Sequence, residues 1–254
     1  MIRRWSDGKA EYLQAWGLVP DDVTASRVDQ VRGVFAAMER TLAAAGMNFR
    51  DHVVRTWFYL DRINDWYADF NATRTAFFES RGVFAAFLPA STGIGHANPF
   101  GAALTVGFVA ARPLDGSAPA RRIVKSPLQA DAMTYRSSFS RAAELTRSDG
   151  RILYVSGTAA ILPQSSEVAF VGNVELQMSC AMRAALAIVE SRGMTPANVT
   201  RMIVYLKSPE SRPVWEKFAA TLPLKVKPTV MEADVCRDDW LFEVELDSED
   251  EKGA

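Results

Sequence analysis

One pattern occurs twice along this chain, and a duplicated pattern restricts the fold more than composition can. The first copy reads VRGVFAAMERTLAAAGMNFRDHVVRTWFYLDRINDWYADFN and the second VELQMSCAMRAALAIVESRGMTPANVTRMIVYLKSPESRPVWEKF. Each holds a helical run that stops at Gly-Met (Gly46-Met47, Gly193-Met194), a short turn, and an apolar strand ending in Tyr-Leu (Tyr59-Leu60, Tyr205-Leu206). Glycine suits both stops because it takes the left-handed conformation without a Cβ clash. An arginine, Arg55 or Arg201, holds the same place in each strand. Upstream of each helix lies a strand containing glycine, EYLQAWGLVP and RILYVSGTAAI. Downstream come a second helix, Trp66–Ser80 and Pro213–Thr221, and a closing strand, GAALTVGFVAARP and WLFEVELDS. Each half therefore reads β-α-β-α-β, and the chain reads as two copies of one α+β domain. Residues 1–113 make the first copy and 133–254 the second, joined by a Pro-, Ala- and Ser-rich connector over 114–132.

Composition excludes several function classes. A formal net charge of -1, with Lys and Arg scattered, gives no electrostatic footprint for nucleic acid. The two cysteines, Cys180 and Cys236, lie far apart and form no disulfide framework or CxxC motif, which fits a reducing cytoplasm. The two histidines, His52 and His96, are remote from both cysteines, so no zinc site and no other metal centre is expected. The opening MIRRWSDGKAEY lacks the apolar core of a signal peptide, and no apolar run is long enough to span a membrane.

The stretch VVRTWFYLDRINDWYADFNATRTAFF resembles the strand-helix segment of the Rid/YjgF family, and YVSGTAA and EYLQAWGLVP resemble a strand of that family. RTWFYLDRIN, LPASTGIG, YRSSFSRAAEL, VSGTAAI and ADVCRDDWLFEVE are similar, in the same order, to segments of the chorismatases, which are tandem Rid-like proteins. The resemblance implies two Rid/YjgF-like (chorismate-mutase-like) domains, each a mixed β-sheet packed on two helices, with ligand clefts between adjacent sheets. It also implies a homo-oligomer, a trimer more readily than a dimer. The first half begins almost directly at EYLQAWGLVP, so an opening hairpin is expected to be missing. In Rid imine deaminases an arginine clamps the substrate carboxylate; the corresponding loops here, LPASTG and KPTVME, carry Ser91 and Val230. Neither side chain can form a bidentate carboxylate clamp, which disfavours ordinary imino-acid deamination.

In the closing strand of the second half, Phe242, Val244 and Leu246 alternate with Glu243, Glu245 and Asp247. Alignment with the family places the acid at Glu245, and Gly107 at the matching point of the first half. A partly desolvated carboxyl there would have its pKa raised into the range useful for proton transfer. The alternative is a solvated strand face, which is the expectation for Asp247 and an equal one for Glu243. Cys236, in the turn before that strand, is either a small buried residue or part of the pocket wall and catalytic set. Arg141 and Tyr135, in YRSSFSRAAEL, are candidates for holding an anionic substrate, with an edge-strand surface residue as the alternative for Arg141. Asn71, in FNATR, is a binding candidate or a helix cap. Thr92, in the STGIG segment read as a loop, is a candidate for anion binding with its neighbours' backbone N–H groups. Arg55 and Arg201, present in both copies, are read as a structural contact repeated with the fold.

These features, with the resemblance, point to an enzyme acting on a small carboxylate. The reading is a chorismatase-like lyase or hydrolase, with Glu245 protonating the enolpyruvyl group of chorismate or a related enol ether and releasing pyruvate. That chemistry calls for no cofactor. A Rid-type imine or enamine deaminase with altered specificity, and a non-catalytic ligand-binding protein, are the alternatives.

Overall fold

The computed structural model describes residues 1–117 and 119–251. The first half contributes β1 (Ile2–Ser6), β2 (Ala10–Leu18), α1 (Arg27–Ala43), α2 (Phe49–His52), β3 (Val53–Leu60), α3 (Tyr67–Ser80), α4 (Val83–Ala86), β4 (Ala90–Gly95) and β5 (Leu104–Pro113). After β6 (Arg121–Val124), the second half adds β7 (Ala142–Thr146), β8 (Gly150–Ala159), α5 (Val174–Glu190), β9 (Val199–Leu206), α6 (Arg212–Ala219), β10 (Thr229–Glu232), β11 (Asp234–Val235) and β12 (Phe242–Glu251). The ends of the helices follow local chemistry. Ser26 and Asn173 cap α1 and α5 by accepting from the backbone N–H of Asp29 and Leu176. Gly46 and Gly193 take positive φ angles of 67° and 73° just beyond their last turns.

Two six-stranded mixed sheets result, ordered β1-β2-β5-β3-β4-β11 and β10-β9-β12-β8-β7-β6. Read from opposite ends, β1-β2-β5-β3-β4 and β7-β8-β12-β9-β10 are the same topology, with β3 parallel to β4 and β9 parallel to β10. The repeat is thus a repeat of architecture, and the chain is α+β. Two strands depart from the simple division. β6 lies within the stretch read as a connector and pairs antiparallel with β7 at the edge of the second sheet. β11, from the second half, pairs with β4 and closes the edge of the first sheet. Two sequence expectations need correction. The opening hairpin is present, because IRRWS forms β1 and pairs with β2 from Ile2↔Ala15 to Ser6↔Glu11. The STGIG segment is not a loop but strand β4, its backbone engaged in the ladder with β3.

Each sheet is buried on one face by its own helices. Val31, Phe35 and Met38 of α1 and Phe70 and Phe78 of α3 pack with Phe58 and Phe108 in the first half. Met178, Met182 and Ile188 of α5 and Trp215 of α6 pack with Phe242, Val244 and Leu246 in the second. The opposite faces meet each other, where Tyr12, Val54, Trp57 and Val109 of one sheet pack with Ala143, Leu145, Ile152 and Tyr154 of the other. Polar bonds cross the same seam: the Ser91 backbone N–H donates to Ser156 Oγ at 2.9 Å, and that of Ser140 to Pro89 O at 3.1 Å. Both faces of the central strands are therefore covered, and alternating carboxylates on β12 point into protein rather than water.

Strand register fixes which positions of the halves correspond. Glu245 pairs with Ile203, and Gly107 with Trp57; Ile203 and Trp57 each lie two residues past the repeated arginine. Gly107 is thus the counterpart of Glu245, and the space where a side chain would project is filled by the Trp16 ring. That ring packs on Trp57 at a centroid distance of 4.4 Å. A Cβ at Gly107 would overlap Trp16, so Gly107→Ala is expected to cost about 1–3 kcal/mol by overpacking. The check is a lowered urea midpoint with an unchanged slope.

Candidate active site

Period-two alternation puts Glu243, Glu245 and Asp247 of β12 on the face that meets the first sheet. All three are buried, at 4%, 0% and 7% exposure. Their fates differ. Glu245 is locked between two guanidinium groups, Arg55 Nη2 at 2.9 Å and Arg201 Nη2 at 2.5 Å. It also accepts from the Trp57 indole N–H at 2.9 Å. Burial pushes its carboxyl up, but the two arginines outweigh burial and hold it below the ordinary carboxylate range. Asp247 pairs with Arg201 at 3.2 Å, and burial raises it to about 6. Glu243 has no ion pair among the described residues. Burial, aided by the charge of Glu245, lifts its carboxyl to about 8 against the opposing pull of Arg55 and Arg141. At neutral pH it is an acid with a proton to give.

Glu243 lines a narrow cleft at the end of the seam between the sheets. Gly157 of β8 lies beside the carboxyl, and a Cβ there would overlap Glu243 Oε1. Two buried arginines enter from opposite halves. Arg74, on α3, is 2% exposed; its Nη2 donates to Asn71 Oδ1 at 2.5 Å and its guanidinium carbon lies 5.0 Å from the Phe70 ring centroid. Arg141, just before β7, is 3% exposed and is anchored by its Nε donating to Ala130 O at 2.9 Å. Arg74 Nε, Arg141 Nη2 and Trp240 Nε1 are buried with no hydrogen-bond partner among the described residues, and all three residues line the cleft. Unpaired buried donors are costly and rare, so a site presenting three of them is built for an acceptor-rich ligand. Tyr67, Tyr135, Ser91 and Cys236 complete much of the wall. Burial pushes the Cys236 thiol up to about 12, so it is a neutral, soft wall residue rather than a thiolate.

Comparison with known proteins agrees with this two-half architecture. Residues 3–110 match the family model described as Chorismatase FkbO/Hyg5-like, N-terminal, and residues 130–249 match Endoribonuclease L-PSP. A chorismatase of Streptomyces rapamycinicus is 29% identical over 220 residues, covering 76% of this chain and 63% of the relative. A chorismatase of Streptomyces hygroscopicus is 27% identical over 217 residues, covering 76% of this chain and 60% of the relative. This chain thus spans less than two thirds of the length of each. The fold of a crystallised chorismatase superposes with a TM-score of 0.77 at 22% identity, covering 97% of this chain and 79% of that one. The chain is a Rid-fold, chorismatase-like protein.

In this chorismatase-like protein, the cleft gathers Cys236, Arg141 and Tyr135 from the sequence candidates. Asn71 lies in the adjoining vestibule with Tyr67, Tyr135 and Arg237, and bonds Arg74. Two candidates fall elsewhere. Glu245 is displaced from the cleft by its own ion pairs: both its oxygens are engaged at the seam, and Glu243 takes the place facing the cavity. Thr92 also belongs to the seam, where its Oγ1 accepts from Arg55 at 2.5 Å and from the Gly157 N–H at 3.0 Å. Arg74 was not among the candidates. The signal was present, since Phe70, Arg74 and Phe78 recur at i, i+4 on one helix face, which sets the arginine on the core side.

The two glutamates should therefore respond in opposite ways to neutralisation. Glu245→Gln leaves Arg55 buried without its counter-charge and is expected to lose about 3–5 kcal/mol. The stability Glu245 supplies is present above the ordinary glutamate pKa and is lost as pH falls through its depressed folded value. Glu243 behaves inversely: its raised folded value makes wild-type stability decline as pH rises from about 4.5 to about 8. Glu243→Gln should remove that decline and gain on wild type across the window, as read from urea midpoints at pH 5 and pH 8.

Proposed function

We propose that this protein is an enzyme that releases pyruvate from chorismate or a closely related cyclic enol ether. The observation that carries the reading is a carboxyl held in its acid form beside two buried arginines with free N–H groups. Two guanidinium groups entering from opposite halves suit a ligand with two carboxylates, one on a ring and one on an enolpyruvyl arm. The chorismatase names of the relatives supply the same substrate independently.

Glu243 donates its proton to the terminal methylene carbon of the enolpyruvyl group, and the π electrons form the new C–H bond. The adjacent carbon becomes an oxocarbenium centre that water, or a neighbouring ring hydroxyl, attacks through oxygen. With water, the attacking molecule gives its proton to the Glu243 carboxylate, and the hemiketal then breaks its C–O(ring) bond as its hydroxyl proton passes to the departing ring oxygen, giving pyruvate and a ring alcohol. The arginines fix the two carboxylates so that the methylene lies against Glu243. Tyr135 stays a neutral phenol because burial raises it, and so remains a donor for a substrate oxygen. Cys236 shapes the wall beside Tyr67. The Rid-type deaminase alternative has less support, because Ser91 lines the cleft without a guanidinium and Val230 lies outside it.

The test is incubation with chorismate and coupled detection of pyruvate. Turnover is expected, with kcat/KM falling above about pH 8 as Glu243 loses its proton. Glu243→Gln should lower kcat by at least about 10²-fold, in the range general acids supply. Arg74→Gln and Arg141→Gln should chiefly raise KM. Ligand-induced stabilisation without turnover would instead establish a binding protein. Homo-oligomerisation, a trimer before a dimer, is part of the same proposal, and light scattering that gives a monomer removes it.

A further inference from the structure

The ion bridge at the seam and the acid in the cleft lie on one strand face, two residues apart. Thr92 joins them in space. Its Oγ1 accepts from Arg55, which holds Glu245, and from the N–H of Gly157. The position a Gly157 Cβ would occupy lies 3.2 Å from Thr92 Cγ2 and overlaps Glu243 Oε1. The Glu243 carboxyl and Thr92, which bonds Arg55, therefore border the same space beside Gly157. Arg55 is wholly buried, and its Nε and Nη1 have no partner among the described residues. That guanidinium acts on Glu243 in the direction of proton loss, against burial and the charge of Glu245.

We propose that Glu245 is a positioning residue for the reaction: its fixed negative charge cancels Arg55 and keeps the Glu243 carboxyl in its acid form. The inference rests on the proton-donor reading of Glu243 and adds a role for a residue that touches no substrate. The groups facing Glu243 come from every element around it. Arg74 and Tyr67 lie on α3, Arg55 on β3, Tyr135 and Arg141 before β7, Cys236 and Arg237 before β12, and Glu245 on its own strand. Among these, Glu245 is the carboxylate whose charge favours the protonated form of Glu243. Glu245 can perform this role only while ionised, and the Arg55, Arg201 and Trp57 contacts secure that state.

The experiment titrates the Glu243 carboxyl by 13C NMR in the ligand-free protein, with Glu243→Gln assigning the resonance, and runs the pH profile of pyruvate release in parallel. Glu245→Gln should move the Glu243 titration and the alkaline limb of kcat/KM down by roughly one to two pH units. Arg201→Gln removes a positive charge while Arg55 and Trp57 keep Glu245 ionised, so it should move the titration upward, by roughly half a unit. A merely structural bridge predicts a different pattern, in which both variants admit water and move Glu243 down together. That pattern, or a Glu245→Gln protein whose Glu243 titrates as in wild type, overturns the proposal. If Glu245→Gln does not fold, Arg201→Gln decides, and an unchanged or downward titration overturns it. Absence of pyruvate release by wild type would sink the chorismate reading while leaving the NMR outcome to judge this one.

Discussion

One carboxylate shared by two arginines organises the seam on which the molecule is built. Burying an ion costs several kcal/mol unless its partners are close and fixed, and Arg55 is at 0% exposure. Duplication delivered an arginine to the same position in each half, so two cations converge on the seam. A single glutamate suits them, provided the matching position in the other half is vacated. That position is Gly107, closed over by Trp16, whose partner Trp57 also donates to Glu245. The two sheets therefore meet through an asymmetric device made from a symmetric fold. The aromatic pair and the ion bridge are parts of the same contact.

The chemistry of the cleft follows from that contact. A strand that carries a carboxylate into a dry seam carries its i−2 and i+2 neighbours to the same face. Asp247 finds Arg201, but Glu243 meets Gly157, Thr92 and an open cavity instead of a cation at ion-pair distance. Two carboxylates on one buried face, one paired and one alone, are pushed to opposite protonation states at the same pH. The acid arises chiefly because burial disfavours its charged form, and the charge of Glu245 adds to that.

The repeat, both helices of each half and the six-residue alternation of β12 were legible in sequence, because period and glycine stops are local properties. What lay behind the alternation was not. A polar strand face against water and one against a second sheet have the same pattern, and the choice between Glu243 and Glu245 depends on partners some 190 residues away in the chain. The connector held a strand, because RRIV gains its ladder only from β7. Arg74 escaped notice for a related reason. The β4 and β10 positions lack a clamp arginine, and sequence offered only Arg141, before β7, in its place, whereas the fold also brings in Arg74 from α3. Asn71 stood out in sequence as a binding candidate or a helix cap, but its bond to Arg74 needed the helix in place.

Placing the two free guanidiniums on different halves has a consequence for turnover on the chorismate reading. With Glu243 protonated, the buried lining carries two positive charges, Arg74 and Arg141, and a dicarboxylate neutralises both at once. Neither half alone could hold such a ligand at both ends, so binding engages both halves across the seam. Cleavage then divides the charge between two products. Pyruvate leaves with one carboxylate and the ring keeps the other, so each product satisfies one arginine and abandons its counterpart. The two-point attachment that orients the substrate is lost in the step it promotes, and products held by one ion pair each dissociate more readily than the dianion did.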